Sequence, residues 1–274
     1  MKYRKDDNDS VYIINYATSC FSFATLIIFI KLSYLVSSNP KSIFNLLAPL
    51  LLMLDGIYIG WGMCGLEVDL YTFLVVLSIW LLLKNSIYLP ISLALLSMTR
   101  PDGVIFTACI FLYKVLKEKS LNIKFILLFS LLYVPYFLWR YFYYGFLFPN
   151  SFYAKVGSGL NQYRMGYLYF KEFLISHGGI FLFPILLVFI KREPILLCLL
   201  GIFITYSLYI IYVGGDYWPG GRYLVPLIPI LYLLFKESLL CIYHWFSLRY
   251  LKLGKTLKYI QSNRQRYIFL LYYF

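Results

Sequence analysis

WRYFYYGFLFPNSFYAK, residues 139–155, closes an apolar run at 125–138. Arg140 stands where hydrocarbon gives way to headgroups, aromatic side chains crowd around Gly145, and Pro149 and Asn150 supply backbone bends before Lys155. Trp and Tyr gather at membrane interfaces because one end of each ring is apolar and the other polar. Gly, Pro and Asn favour turns that a continuing helix does not tolerate. A transmembrane helix is expected to stop at this stretch and a polar segment to begin. One reading is an aromatic belt with a snorkelling Arg and Lys; the other is a site at the membrane surface.

The composition extends the membrane reading to the whole chain. Of 274 residues, 61% are hydrophobic and 14% charged, and the mean hydropathy is +0.74, which leaves too little polar surface for a soluble domain. The apolar stretches are long and continuous, so helices are expected in place of the alternating segments of a barrel. They fall at about 11–30, 43–60, 70–83, 87–98, 104–116, 125–138, 179–190, 194–213 and 223–235, with a stub at 267–274. The expected fold is all-α: a polytopic transmembrane bundle of about nine spanning or partly spanning helices, covering residues 1–246. Residues 247–274 form a basic interfacial segment and a truncated apolar stub.

The net charge of +13 belongs to short loops between apolar runs and not to a soluble basic module, so nucleic acid is not an expected partner. The cysteines at 20, 64, 109, 198 and 241 show no CxxC spacing and read as small apolar residues. His177 and His244 stand far apart without ligand-spaced partners, which gives no metal site, although a divalent metal stays possible at carboxylates.

If the runs alternate across the membrane, one set of loops holds 16 of the 25 Lys and Arg residues, including Lys31, Lys41, Lys84, the 114–124 cluster and Lys236 onwards. That set is expected to be cytoplasmic. GLEVD (65–69), TRPDG (99–103), residues 140–155 and GGDYWPGGR (214–222) then share the opposite, exoplasmic face. The same parity puts the N-terminus outside with no helix before it, and the chain ends inside an apolar run. We therefore expect a fragment lacking an upstream span.

Ionisable residues are expensive at a bilayer centre and cheap at its edge. Asp55 lies inside its apolar run; it either lines a cavity or marks the exoplasmic end of a short helix. In TRPDG, Arg100 and Asp102 either pair to cap the turn or serve a ligand. In GGDYWPGGR, four glycines and a proline free Asp216 and Arg222 on a loop, either as a compact turn or as a cradle whose amides and guanidinium take an anion. Glu67, Asp102 and Asp216 are candidates for hydroxyl binding, metal binding or general-base work. Arg100, Arg140, Lys155 and Arg222 are candidates for phosphate.

These motifs, in this order, resemble the multi-spanning membrane glycosyltransferases of the GT-C type, and most of all the mycobacterial terminal arabinofuranosyltransferases and their bacterial relatives. The resemblance rests on GLE, TRPDG, WR-x3-YG with FPNSFYAK, and GGDYWPGGR, and covers roughly residues 55–235. It implies transfer of a sugar from a polyprenyl-phosphate donor to a glycan or lipid-linked acceptor outside the bacterial cytoplasmic membrane. Glu67, Arg100, Asp102, Arg140, Asn150, Tyr153, Lys155, Asp216 and Arg222 match the family pattern. Arg140, Lys155 and Arg222 are then expected on the donor phosphate, with Arg100, Asn150 and Tyr153 also at the substrate. Ser151 and Cys64 depart mildly from the pattern. The family's catalytic aspartate in a first exoplasmic loop has no convincing counterpart; Asp6, Asp7 and Asp9 precede the first run without its surroundings. The other classes to weigh are a transporter or flippase of lipid-linked saccharide and a non-catalytic accessory membrane subunit.

Overall fold

The computed structural model describes residues 3–243 apart from 38, 65–66, 121, 149, 158, 182, 185–192 and 217–220, and it describes no side chain for residues 3–15, 17, 150, 151, 154 and 181. The expected segment 247–274, and the side chains of Asp6, Asp7, Asp9 and Asn150, lie outside the described residues. Among the described residues the chain is all helix and turn, with no strand.

The helices are α1 (Tyr3–Val36), α2 (Leu47–Leu54), α3 (Gly56–Gly62), α4 (Val68–Leu83), α5 (Leu89–Thr99), α6 (Gly103–Glu118), α7 (Ile123–Tyr144), α8 (Asn150–Lys155), α9 (Leu160–Ser176), α10 (Pro194–Val213) and α11 (Arg222–Tyr243), the last opening as a 3-10 turn. Thr18–Val36 and helices α7, α10 and α11 are long and apolar enough to cross a membrane, and α2 with α3, bent by 56°, makes a fifth if counted as one span. Helices α4 and α5 are apolar but shorter. The chain is thus a membrane protein by its described helices, with four or five candidate spans among them.

Local chemistry explains the breaks. Asp55 ends α2 in extended backbone and caps α3, its Oδ1 accepting the Tyr58 N–H at 2.7 Å. Asp55 is therefore the hinge of a broken helix, and not the surface end of one. Helix α7 starts with Asn122 capping the Phe125 N–H at 3.2 Å and runs through the aromatic stretch to Tyr144. Only Gly145, at φ 73°, stops it. The expected end near residue 138 is thus six residues early, because Trp, Arg and Tyr are all compatible with helix and only the glycine is not. FPNSFYAK, expected as turn, carries the short helix α8.

Helix α11 is the axis of the bundle. Its residues from Leu224 to Leu234 are buried in the main apolar cluster, and its opening turn packs against α3, α4 and α10. Helix α7 lies at the periphery, against α5, with most of its leucines exposed as a lipid-facing helix requires. Helix α9 was not foreseen, since its mixed sequence fits neither a span nor a loop. It crosses α10 at Gly166, where a Cβ would come within 2.2 Å of the Ile211 carbonyl oxygen. Lys236, expected in a cytoplasmic loop, is instead fully buried in α11. It donates to the Ser33 carbonyl at 2.8 Å and pairs with Glu237 at 2.8 Å.

Candidate functional site

The TRPDG turn joins α5 to α6 so tightly that a Cβ on Gly103 would come within 2.4 Å of the Leu96 carbonyl oxygen. The close approach holds Arg100 and Asp102 inward. Arg100 donates to Asp102 through both edges of its fork, Nε to Oδ1 at 3.0 Å and Nη2 to Oδ2 at 2.9 Å. Tyr206 donates to the same Oδ2 at 2.5 Å, and the guanidinium lies against the Tyr71 ring at 5.0 Å and the Tyr223 ring at 4.5 Å. Burial acts against the charge of Arg100, but the adjacent Asp102 carboxylate more than offsets it, so its pKa stands well above the ordinary arginine value. The remaining nitrogen, Nη1, has no hydrogen bond among the described residues and faces Glu67 at 3.8 Å. The pair caps the turn locally, and it is also built into a wider cluster.

Asp216 reaches the cluster because Gly214 and Gly215 take φ of 89° and 74°, left-handed backbone that suits glycine. A side chain on Gly215 would also strike the Tyr169 ring at 2.8 Å. Lys155 comes from α8 and donates to the Gly215 carbonyl at 3.1 Å, to Asp216 Oδ1 at 3.2 Å and to the Tyr223 hydroxyl at 2.9 Å. Arg222 Nε stands 2.9 Å from Asp216 Oδ2, with its guanidinium over Trp61 and Tyr223. The Tyr223 N–H donates to Tyr169 at 3.1 Å, which fixes the loop to α9. The Tyr223 ring therefore sits among three cations: Arg100, Lys155 and Arg222.

Above this charged floor lies a chamber of about 410 Å³. Its polar lining includes Glu67, Arg100, Asp102, Lys155 and Tyr223, and its apolar wall includes Val104, Ile105, Phe152, Ile210 and Val213. Glu67 is the accessible carboxylate of the three, its side chain 43% exposed against 5% for Asp102 and 4% for Asp216. A second chamber, also about 410 Å³, contains Arg140 with Tyr136, Trp139, Tyr144 and Phe146, and shares Thr99, Pro101 and Phe148 with the first.

Four motifs far apart in sequence thus meet at one end of the bundle. The placement of the expected donor-phosphate residues differs from one to the next. Lys155 has all three N–H donors engaged within the protein, and Arg222 lies against the Asp216 carboxylate. Arg140 stands apart from the charged floor, in the adjoining chamber. Tyr153 is exposed, packs on Phe146 and Phe152, and lines neither chamber. Among the described residues no three His, Cys, Asp or Glu side chains are grouped as a metal site.

Sequence reasoning missed the tyrosines that frame the cluster, and it missed a second buried constellation. Asp55 Oδ2 meets His177 Nε2 at 3.0 Å and the Tyr232 hydroxyl at 2.6 Å, while His177 Nδ1 lies 2.8 Å from the Phe173 carbonyl. Both ring nitrogens face oxygen atoms, so the imidazole is held between the Asp55 carboxylate and the α9 backbone. The three elements that carry this group also carry Trp61, Tyr169 and Tyr223 of the charged cluster. The one available signal was the unexplained intramembrane carboxylate. Comparison of the chain with protein-family models, with curated proteins and with solved structures returns no match.

Proposed function

We propose that this chain is a GT-C type membrane glycosyltransferase of the bacterial cytoplasmic membrane, polytopic with about nine spanning or partly spanning helices and with its motif loops on the exoplasmic side. It takes a sugar from a polyprenyl-phosphate donor and places it on a hydroxyl of a glycan or lipid-linked acceptor. The observation that carries this reading is the convergence of Glu67, TRPDG and FPNSFYAK on one amphipathic chamber with aliphatic and aromatic walls, to which GGDYWPGGR is tied through the pairing of Asp216 with Lys155. A lipid-linked sugar needs both polar and apolar lining, since hydroxyls bond to carboxylates and an isoprenoid chain packs on apolar walls.

In this reading Glu67 is the general base. The acceptor oxygen attacks the anomeric carbon as its proton passes to the Glu67 carboxylate, the bond from that carbon to the phosphate oxygen breaks, and polyprenyl phosphate leaves with the electron pair. Arg100, 3.8 Å from Glu67 and fixed by Asp102, orients that carboxylate. Asp102 and Asp216 are buried and engaged, and act as positioning residues. The test is transfer of labelled sugar by the chain in proteoliposomes. Glu67→Gln lowers the rate by about 10²–10⁴-fold with helix content unchanged; an unaltered rate removes Glu67 from the chemistry.

Transport of a lipid-linked saccharide is the second reading, favoured by one observation: a carboxylate at the break of a bent helix, as in discontinuous transporter helices. It requires Asp55 and His177 to open to water, whereas each is only 7% exposed.

A further inference from the structure

The charged cluster occupies one end of the α6–α10 pair. There the Phe106 ring packs on Tyr206 at 4.7 Å between centroids, and the Tyr206 hydroxyl donates to Asp102. The two helices run antiparallel, so the last turns of α6 lie beside the first turns of α10. At this other end they do not close on each other. A cavity of about 650 Å³ lies between them, with Leu112, Leu116 and Lys117 on the α6 side and Cys198, Gly201 and Thr205 on the α10 side. Helix α6 rises about 21 Å from Gly103 to Lys117, which carries Lys117 toward the membrane surface opposite the charged cluster.

The shape and the charge of this cavity both point outside the chain. Gly201 stands in the middle of α10, where glycine is less stable than alanine, yet a Cβ there would meet nothing within 4 Å. No close packing within the protein requires that glycine, unlike Gly166 of α9. The notch is open space, and its rim carries the exposed side chains of Leu112 and Leu116. No carboxylate lines it. Glu118, next in sequence to Lys117, is paired with Lys114. Lys117 itself is exposed, has no carboxylate partner among the described residues, and lies 5.8 Å from the Tyr113 ring.

We infer that this cavity is a binding site for an anionic phospholipid of the leaflet opposite the motif chambers, with one acyl chain in the notch at Gly201 and the phosphate at Lys117. A basic pocket between membrane helices at the bilayer surface suits such a headgroup, and the long stem of lysine lets its ammonium reach it. An extended acyl chain is one methylene wide and fits the notch, whereas a helix of a second copy, about 10 Å across, covers the rim without filling it. A zwitterionic lipid fills the notch equally but gives Lys117 no net charge to neutralise. The inference does not depend on the transferase reading.

The test uses the full chain in detergent, titrated with dioleoylphosphatidylglycerol as the anionic probe and dioleoylphosphatidylcholine as the zwitterionic one, with retained lipid counted by native mass spectrometry. One phosphatidylglycerol per chain is expected to be held about five-fold or more tightly than phosphatidylcholine. Lys117→Gln is expected to remove that preference, and Lys84→Gln, at an exposed lysine following α4, to leave it within about two-fold. Gly201→Leu fills the notch and is expected to weaken both lipids about ten-fold or more with helix content unchanged, and Gly201→Ala to weaken both by less. Equal retention of the two lipids, or a preference that survives Lys117→Gln, overturns the headgroup assignment. Retention that neither Gly201 variant alters overturns the cavity as the place of binding. Farnesyl phosphate that displaces phosphatidylglycerol at equal or lower concentration would reveal a prenyl-phosphate site, and chains that pair until Gly201→Leu separates them would reveal a helix of a second copy. Either result overturns the phospholipid assignment.

Discussion

Replacing His177 by Ala tests the buried constellation beneath the site. In the native chain Asp55 has the Tyr58 N–H at 2.7 Å on Oδ1, and His177 at 3.0 Å with Tyr232 at 2.6 Å on Oδ2. Loss of the imidazole leaves a carboxylate at 7% exposure with only neutral donors. Breaking one member out of a buried charged pair costs about 3–5 kcal/mol, most of it for the charge left without its partner. Asp55→Asn removes that charge and keeps an acceptor for Tyr58, so the double variant is expected to lose about 2 kcal/mol less than the two single variants added together. The assay is a double-mutant cycle on chain purified in detergent, unfolded by titration with a denaturing detergent and followed by far-ultraviolet circular dichroism. A coupling energy within about 0.5 kcal/mol of zero would refute the claim that the two residues act as one structural unit.

Other expectations follow from the same geometry. Gly103→Ala and Gly166→Ala each place a methyl group against a backbone carbonyl that cannot rotate away, at 2.4 and 2.2 Å, and each should destabilise by about 1–3 kcal/mol in the same unfolding assay. Tyr223→Phe keeps the ring among its three cations and loses the Lys155 hydrogen bond, for about 1 kcal/mol, whereas Tyr223→Leu loses the ring and should cost about 2–4 kcal/mol. Arg100→Lys cannot reproduce the two-pronged grip on Asp102 while facing Glu67, so sugar transfer in proteoliposomes should fall by about ten-fold or more. Unchanged transfer would show that the two-pronged grip on Asp102 is not needed for the reaction.

Much of the fold was legible because the membrane imposes one simple rule, that lipid-facing backbone must be helical. Composition and continuous apolar runs therefore gave the all-α class, and α10 was read residue for residue. The rule fails for amphipathic or broken segments. Helix α9 mixes Arg164, Lys171 and Glu172 with aromatics because one side packs on α10 and the other does not, and the α2–α3 break reads as a single apolar run. The order of the motifs along the runs put Glu67, Arg100, Lys155, Asp216 and Arg222 on one face; the chamber brings the first three together, and Asp216 joins Arg222 to Lys155 beside it. Their pairing was not legible. Whether Lys155 is an uncommitted cation depends on the distance to Gly215 and Asp216, set by two left-handed glycines and a tyrosine on α9. Tyr71, Tyr206 and Tyr223 were hidden among 29 tyrosines with nothing local to mark them.

The most direct test of the whole account is photo-crosslinking with a prenyl-phosphate-linked sugar that carries a diazirine on the prenyl chain next to the phosphate, followed by peptide mapping. The account predicts adducts on residues 98–104 and 136–152, competed by unlabelled donor. A different cavity, of about 650 Å³ and lined by Cys109, Leu112, Cys198 and Thr205 between α6 and α10, offers the contrary result. Adducts confined there, or none that the donor displaces, would contradict the assignment of the four motifs to a lipid-phosphate sugar site.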